Sequence, residues 1–152
     1  MKLSSSAFEH EGKIPSKYTC DGDNVNPPLT FSEVPRETKS LIIIMDDPDV
    51  PKNLRADGMW DHWIVFNMHC GLQRIRDGEE PEGTQGLGTK NNLDYFGPCP
   101  PDGEHRYFFK LYALDTTLNL PVKSTKRQVE QAMAGHIVAQ AELMGRYERI
   151  GR

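Results

Sequence analysis

Polar side chains that can do acid–base or hydrogen-bonding chemistry stand at the ends of three apolar segments. Asp47 and Asp49 come at the end of SLIIIMDDPD. His62 lies inside MWDHWIVFNM, and His105 and Tyr107 begin HRYFFKLYAL. If the three segments are neighbouring strands, two carboxylates, two imidazoles and a phenol can line a single pocket. Apolar packing does not require these side chains, so the pattern predicts a binding site at the strand ends.

The residue types suit a ligand that carries a phosphate or another small anion. A carboxylate near a histidine favours the protonated imidazole. Protonated His62 and His105 can donate to an anion, while Asp47 can hold a histidine protonated or meet an ammonium group. Trp60 shares a strand face with His62 under the two-residue period, and its ring can stack over a cation. A phosphorylated amine or a phosphoamino acid satisfies both signs of charge.

The elements that must position these side chains have the patterns of strands. Ser40–Asp47 carries an unbroken apolar run, typical of a strand buried on both faces, and Pro48 and Pro51 end it. Residues 59–68 and 105–115 alternate in polarity and are predicted as two further strands. Strict alternation divides the second segment between a face with Trp60, His62, Ile64 and Phe66 and a face with Asp61, Trp63, Val65 and Asn67.

The C-terminal part of the chain has a helical pattern instead. Thr125 and Gln128 form a T-x-x-Q capping box, and Gly145 can end a helix. The spacing predicts a helix over 126–144. The residues that recur at helical spacing are Val129, Met133, His136, Ile137, Gln140, Ala141 and Met144. Strands followed by one helix predict a mainly-β, α+β domain over residues 1–152.

Length, charge and cysteines narrow the function class. The 152 residues carry a net charge of −4, which argues against a nucleic-acid partner. No apolar run approaches a membrane span, and the first residues do not resemble a secretory signal. Three cysteines without C-x-x-C spacing predict free thiols in a reducing cytoplasm. The residues predict no cofactor and no integral membrane contact.

Three stretches together resemble the signature regions of the phosphatidylethanolamine-binding protein family, which includes the Raf kinase inhibitor proteins. They are DDPDVP at 46–51, WDHW at 60–63 and GPCPPDGEHRY at 97–107. The stretches 14–31 and 129–147 are similar to bacterial-type members, so the resemblance covers nearly the whole chain. It implies a sandwich-like fold of two antiparallel sheets, with a helix toward the C-terminus and a small anion pocket at one end of the strands.

The resemblance also implies which residues form that pocket and what they bind. Phosphate-like anions and phospholipid headgroups are the ligands of the family, some members restrain kinases or proteases, and homodimers occur among bacterial-type members. No chemical turnover is tied to the pocket. Asp61 and Cys99 depart from the pattern of animal members, which weakens any transfer of kinase inhibition. The implied ligand-binding residues are Asp47, Trp60, His62, Gly97, Cys99, Pro100, Pro101, His105 and Tyr107, with Asp49, Pro51 and Arg106 in support.

Two other classes of function stay open from the residues alone. In a hydrolase, His62, His105 and the two aspartates could hold a metal that activates water, or His105 could activate Cys99 as a nucleophile. In a regulator of a partner protein, the glycine-rich segment 71–96 could be the contact surface, because long loops often carry recognition. A purely structural reading also exists, since aspartate beside proline is common in turns.

Overall fold

The computed structural model describes residues 1–151, which form two antiparallel sheets and one α-helix. The smaller sheet has the order β1-β2-β5, with β1 at Lys2–Ser4, β2 at Leu29–Ser32 and β5 at Arg74–Ile75. The larger sheet has the order β6-β4-β3-β7-β8. Its strands are β3 (Ser40–Asp47), β4 (Trp60–His69), β6 (Thr84–Gln85), β7 (His105–Leu114) and β8 (Ile137–Tyr147). The helix α1 spans Lys126–Met133, and a short 3-10 helix spans Ser16–Tyr18. The predicted fold class is confirmed.

Strand β3 is the centre of the larger sheet. All eight of its residues are buried, and it pairs with β4 on one edge and β7 on the other. An unbroken apolar run fits this position because both faces of the strand are covered. The three strands predicted from polarity are therefore direct neighbours, which brings their polar ends together.

Each face of the larger sheet packs against a different layer. Leu41, Ile43 and Met45 of β3 face the smaller sheet and belong to the larger apolar cluster. Ile42 and Ile44 face the opposite way and pack in a second cluster. That cluster includes Val129 and Met133 of α1. The domain is therefore three layers deep, and consecutive residues of a strand enter different layers.

Strand β4 contains two bulges that change the expected alternation. Against β3, Met45 pairs with Trp63 but Asp46 pairs with Asp61, so His62 is an extra residue. A second shift of the register falls near Asn67, whose φ is +56°. The prediction that His62 shares a face with Ile64 and Phe66 is wrong, because the bulge turns His62 toward Tyr107.

The predicted helix over 126–144 is wrong in its second half. The capping box of Thr125 and Gln128 is present, but α1 ends at Met133 and Gly135 follows with φ +81°. Residues 137–147 form β8, which pairs with β7 along its length. Gly145 lies inside β8 and not at the end of a helix. A Cβ at this position would lie 2.5 Å from the Ile14 side chain, so close packing explains the glycine. Pairing with the ten-residue β7 outweighs the helical preference of this stretch.

The prediction of free thiols is wrong for two of the three cysteines. Cys20 and Cys99 form a disulfide, and Cys70 is free. The partners lie 79 residues apart, and the chain brings them together where residues 19–24 run beside the loop 97–99. The Cys20 amide donates to the Pro98 carbonyl at 3.1 Å, and the Gly97 amide donates to Asn24 Oδ1 at 2.8 Å.

Among residues 1–151, none of the helices has the length and apolar character needed to span a membrane.

Candidate functional site

A cavity of about 230 Å³ opens where β3, β4 and β7 present their polar ends. Asp47 closes β3, Trp60 and His62 begin β4, and Tyr107 is the third residue of β7. The remaining wall comes from the loop after β3 and from the segment before β7. The lining residues are Asp47, Val50, Leu54, Trp60, His62, Phe96, Cys99, Pro100, Pro101 and Tyr107.

Asp47 and His105 form a buried pair behind the cavity. His105 Nδ1 lies 2.6 Å from Asp47 Oδ2, and His105 Nε2 lies 2.9 Å from Asp102 Oδ1. Burial raises the pKa of the Asp47 carboxyl, against the lowering effect of hydrogen bonds from His105 and the Asp49 amide. Burial lowers the pKa of the His105 imidazole, but the two carboxylates outweigh it and the net shift is upward. The pair therefore keeps a proton over a wider pH range than its free groups would.

His62 is a neutral imidazole at neutral pH. Its Nδ1 lies 2.6 Å from the carbonyl oxygen of Phe96, which can only accept, so Nδ1 carries the proton. Burial lowers the pKa of His62 to about 4, although the bond to Phe96 acts in the opposite direction. The neutral ring then has an unprotonated Nε2, which is a hydrogen-bond acceptor. Donation to an anion from Nε2 needs a proton that the free protein does not hold there.

The Tyr107 hydroxyl is buried without a hydrogen-bond partner. The side chain is fully buried, and its oxygen is one of five buried side-chain polar atoms in residues 1–151 that have none. Burial raises the pKa of this phenol far above its ordinary value, so the group is a neutral donor and acceptor. The His62 ring meets the Tyr107 ring edge-on, with centroids 5.3 Å apart. An unpaired buried hydroxyl costs free energy, so a ligand that supplies a hydrogen-bond partner for Tyr107 would be stabilised in the cavity.

A surface ion pair holds the loop that follows β3. Arg106 donates to both oxygens of Asp49, with Nε and Nη2 at 2.9 and 2.8 Å, and its backbone amide lies at 2.8 Å. These bonds lower the pKa of the Asp49 carboxyl. The Pro51 carbonyl accepts from the Leu54 and Arg55 amides, so the chain turns there. Leu54, which is 56% exposed, thereby reaches the mouth of the cavity.

The structure brings seven of the nine predicted ligand-binding residues to the cavity and leaves two outside it. Gly97 and His105 are not among the lining residues. The Gly97 amide is bonded to Asn24, and a Cβ at Gly97 would lie 2.1 Å from the Tyr18 carbonyl. The glycine therefore allows two segments to touch. His105 lies behind Asp47, so the expectation that its ring faces the cavity is wrong.

Sequence reasoning missed four residues that shape the site. Val50, Leu54 and Phe96 line the cavity, and Asp102 is the second partner of His105. Asp102 stands three positions before His105, a spacing that sequence inspection could have singled out. Phe96 immediately precedes the stiff loop 97–101. Val50 and Leu54 carried no signal, because isolated apolar residues in a turn are common.

The charges near the cavity do not favour a bare anion. No lysine or arginine lines it among the described residues, and Asp47 is its one carboxylate. Lys90 lies against one wall residue, with Nζ 4.0 Å from the centroid of the Phe96 ring. No group of three or more His, Cys, Asp or Glu in residues 1–151 has the arrangement of a metal site. The ring nitrogens of His105 are both engaged by carboxylates, and Cys99 is oxidised.

The layers and the cavity define a class of protein, a β-rich binding domain with a small pocket at the ends of three central strands. The chain belongs to the phosphatidylethanolamine-binding protein family, whose model matches residues 4–148. It is 50% identical over 149 residues to a UPF0098 protein of Chlamydia trachomatis, covering 98% of this chain and 99% of that one. A UPF0098 protein of Methanothermobacter thermautotrophicus is 48% identical over 155 residues, with the same coverage of 98% and 99%.

Solved structures agree with this assignment. The crystal structure of a putative phosphatidylethanolamine-binding protein homologue of Chlamydia trachomatis has a TM-score of 0.95 and 49% identity, with 97% of each chain covered. Escherichia coli YbcL, described as a member of the mammalian family, has a TM-score of 0.87 and 27% identity. That match covers 97% of this chain and 98% of YbcL. Family membership supports a ligand-binding role for the protein.

Proposed function

We propose that the protein binds a small phosphate-bearing molecule in the cavity at the ends of β3, β4 and β7. The observation that carries the proposal is the Tyr107 hydroxyl, which is buried beside the cavity without a partner. A phosphate oxygen can accept its hydrogen bond. A ligand that does so removes the cost of the unpaired hydroxyl, and this gain adds to the affinity.

The charges of the lining favour a ligand that brings an ammonium group together with the phosphate. Asp47 and the unprotonated Nε2 of His62 are acceptors, so a doubly charged phosphate alone would be repelled. An ammonium group can pair with Asp47 and lie against the Trp60 ring. The phosphate can then accept from Tyr107 and from His62, which takes up a proton on binding. His105 acts behind Asp47, as a positioning residue.

The apolar part of the wall suits the carbon atoms of the same ligand. Val50, Leu54 and Phe96 lie there, beside Trp60 and the two consecutive prolines. Proline has a fixed φ, so Pro100 and Pro101 lose little conformational freedom when a ligand binds. A short methylene chain between phosphate and ammonium, as in phosphoethanolamine, matches a small cavity of mixed polarity.

The test is a calorimetric and NMR titration with phosphoethanolamine, inorganic phosphate and O-phosphotyrosine. We expect phosphoethanolamine to bind more tightly than phosphate and to shift the amides of Asp47, His62 and the non-proline residues of 97–107. Tyr107→Phe should weaken binding by about three- to tenfold, the value of one hydrogen bond. Tyr112→Phe, on the opposite face of the same strand, is the matched control. If no compound shifts these amides, or if both variants bind equally, the proposal is wrong.

A phosphorylated side chain of a partner protein is another source of the same chemical group. Tighter binding of O-phosphotyrosine than of phosphoethanolamine would favour that source. Restraint of a kinase or protease and formation of a homodimer are further proposals that follow from the family resemblance. The hydrolase alternatives receive no support, because Cys99 is in a disulfide and His105 is held between two carboxylates.

A further inference from the structure

The Cys20–Cys99 disulfide forms part of the cavity wall. Cys99 lines the cavity, and both cysteines are half-buried, so a small reductant can reach the bond. Its other end, Cys20, follows the short 3-10 helix of the N-terminal part of the chain. The disulfide therefore ties the wall of the proposed ligand site to a distant segment.

The wall next to Cys99 has few other attachments. Within the described residues, Cys99, Pro100 and Pro101 make no hydrogen bonds, and the prolines have no amide to donate. Bonds exist on either side of this stretch. The Pro98 carbonyl accepts from Cys20, and Asp102 pairs with His105. Between these two points, the disulfide is the covalent anchor of the wall.

We propose that this disulfide is a redox-sensitive control site for ligand binding, an inference that rests on the proposed function of the cavity. A dithiol reductant donates two electrons and two protons to the bond. The sulfur–sulfur bond breaks, Cys20 and Cys99 become thiols, and the dithiol is oxidised to its own disulfide. Reoxidation by a disulfide oxidant reverses the step.

Reduction weakens binding because it frees the wall. In the oxidised protein Pro100 and Pro101 are held in place before the ligand arrives. In the reduced protein the ligand must fix the ψ angles and the position of residues 99–101, which proline leaves free, and the entropy of this ordering is subtracted from the affinity. We expect an affinity about three- to tenfold lower. We expect the fold itself to persist, since most buried side chains of its two apolar clusters come from the sheets and the helix.

The experiment compares phosphoethanolamine affinity by calorimetry with and without dithiothreitol. Cys20→Ser removes the bond without substituting a cavity-lining residue, and Cys70→Ser is the matched control. We expect the wild type and Cys70→Ser to bind more weakly when reduced, and Cys20→Ser to bind weakly in both conditions. Equal affinity of the oxidised and reduced wild type would overturn the inference. Circular dichroism checks the fold, and global unfolding on reduction would also overturn it.

Hydrogen exchange without ligand separates this inference from the proposed function. Reduction should speed exchange of the Cys20 and Gly97 amides, which donate to the Pro98 carbonyl and to Asn24 beside the wall, while leaving β3 protected. If phosphoethanolamine binds neither form, the proposed function is wrong, and the exchange data alone decide whether the disulfide controls the wall. Unchanged exchange at these two amides then overturns the redox inference, and faster exchange supports it.

Discussion

Asp46 and Asp47 are neighbours in the chain but belong to two different regions of the molecule. Asp46 faces the helix side of the sheet, where its side chain is 2% exposed and Lys110 and Lys126 each lie 3.1 Å from Oδ2. Asp47 faces the other side, against His105 and the cavity. The same residue type therefore has two roles, and the layer that covers each face decides which.

The two regions also differ in how their charged groups are paired, although each holds a buried oxygen without a partner, Asp46 Oδ1 on the helix side and the Tyr107 hydroxyl on the cavity side. On the helix side, Lys126 bridges Asp46 and Asp61 at 3.1 and 2.8 Å, so charges of both signs are paired within the protein. On the cavity side, His62 is neutral and the Tyr107 hydroxyl lacks a partner. Charge paired inside the chain contributes to stability. Polar capacity left unpaired at a cavity is available to a ligand.

The largest effect that would sharpen this comparison is expected for Asp46→Asn. The change leaves Lys126, which is 14% exposed, with one carboxylate fewer in a buried setting. We expect the free energy of unfolding to fall by about 3 kcal/mol, with phosphoethanolamine affinity unchanged. Urea denaturation measures the loss. Glu33→Gln, in an exposed pair with Lys2, is the control and should change nothing measurable. A clear loss of affinity in Asp46→Asn would break the division between the two faces.

A comparable effect depends on pH and comes from His62. Its folded pKa of about 4 lies below the ordinary histidine value of 6.5, so the unfolded chain binds more protons between these limits. The contribution of His62 is complete above pH 6.5 and is lost as the pH falls toward 4, by about 3 kcal/mol. His62→Asn should lack this acid-side loss when its urea unfolding curves are compared with those of the wild type. Parallel pH profiles for the two proteins would contradict the assignment of a neutral His62.

Asp47→Asn should produce the reverse of the Asp46 result. Asparagine keeps one acceptor oxygen, so it can accept from the Asp49 amide or from His105 but not from both. We expect the free energy of unfolding to fall by about 1–2 kcal/mol. The lost charge should weaken phosphoethanolamine binding by about tenfold and inorganic phosphate binding much less. Calorimetry with both compounds measures the difference. Equal losses for the two ligands would show that Asp47 does not meet the ammonium group.

The smallest effect is expected for Arg106→Ala. Its side chain is 52% exposed and its partner Asp49 is 25% exposed, so solvent screens the pair. We expect unfolding to become easier by about 0.5–1 kcal/mol, with affinity unchanged, because neither side chain lines the cavity. Thermal denaturation and one calorimetric titration are sufficient. A large loss of affinity would show that the loop containing Asp49 takes part in ligand binding.

The sequence predicted the centre of the molecule better than its edges. Burial on both faces gives β3 its apolar run, and burial on one face gives its neighbours an alternation of polar and apolar residues. Both patterns are visible in the sequence itself. Strand β8 was missed because residues 137–144 contain alanine, glutamine, glutamate and leucine, which favour a helix in isolation. The pairing with β7 that overrides this preference is a long-range contact.

The candidate site was predicted in composition but not in orientation. Motif resemblance identified Asp47, His62 and Tyr107, which the structure brings to one cavity. The position of His105 behind Asp47 depends on the register of β3 and β7, and no local pattern encodes it. The disulfide was missed because its two cysteines lie 79 residues apart and the chain has an odd number of cysteines, three. Both errors concern which distant groups meet in space.

The extra residue at His62 separates β4 into two parts whose side chains are placed independently. Residues 63–66 keep the spacing that the apolar layers require, while Trp60 and His62 follow a spacing set by the cavity. Substitutions on the cavity side of the bulge therefore need not be matched by repacking of the interior. Evolution or protein engineering can therefore change the ligand specificity of the cavity while the packing of the apolar clusters stays the same.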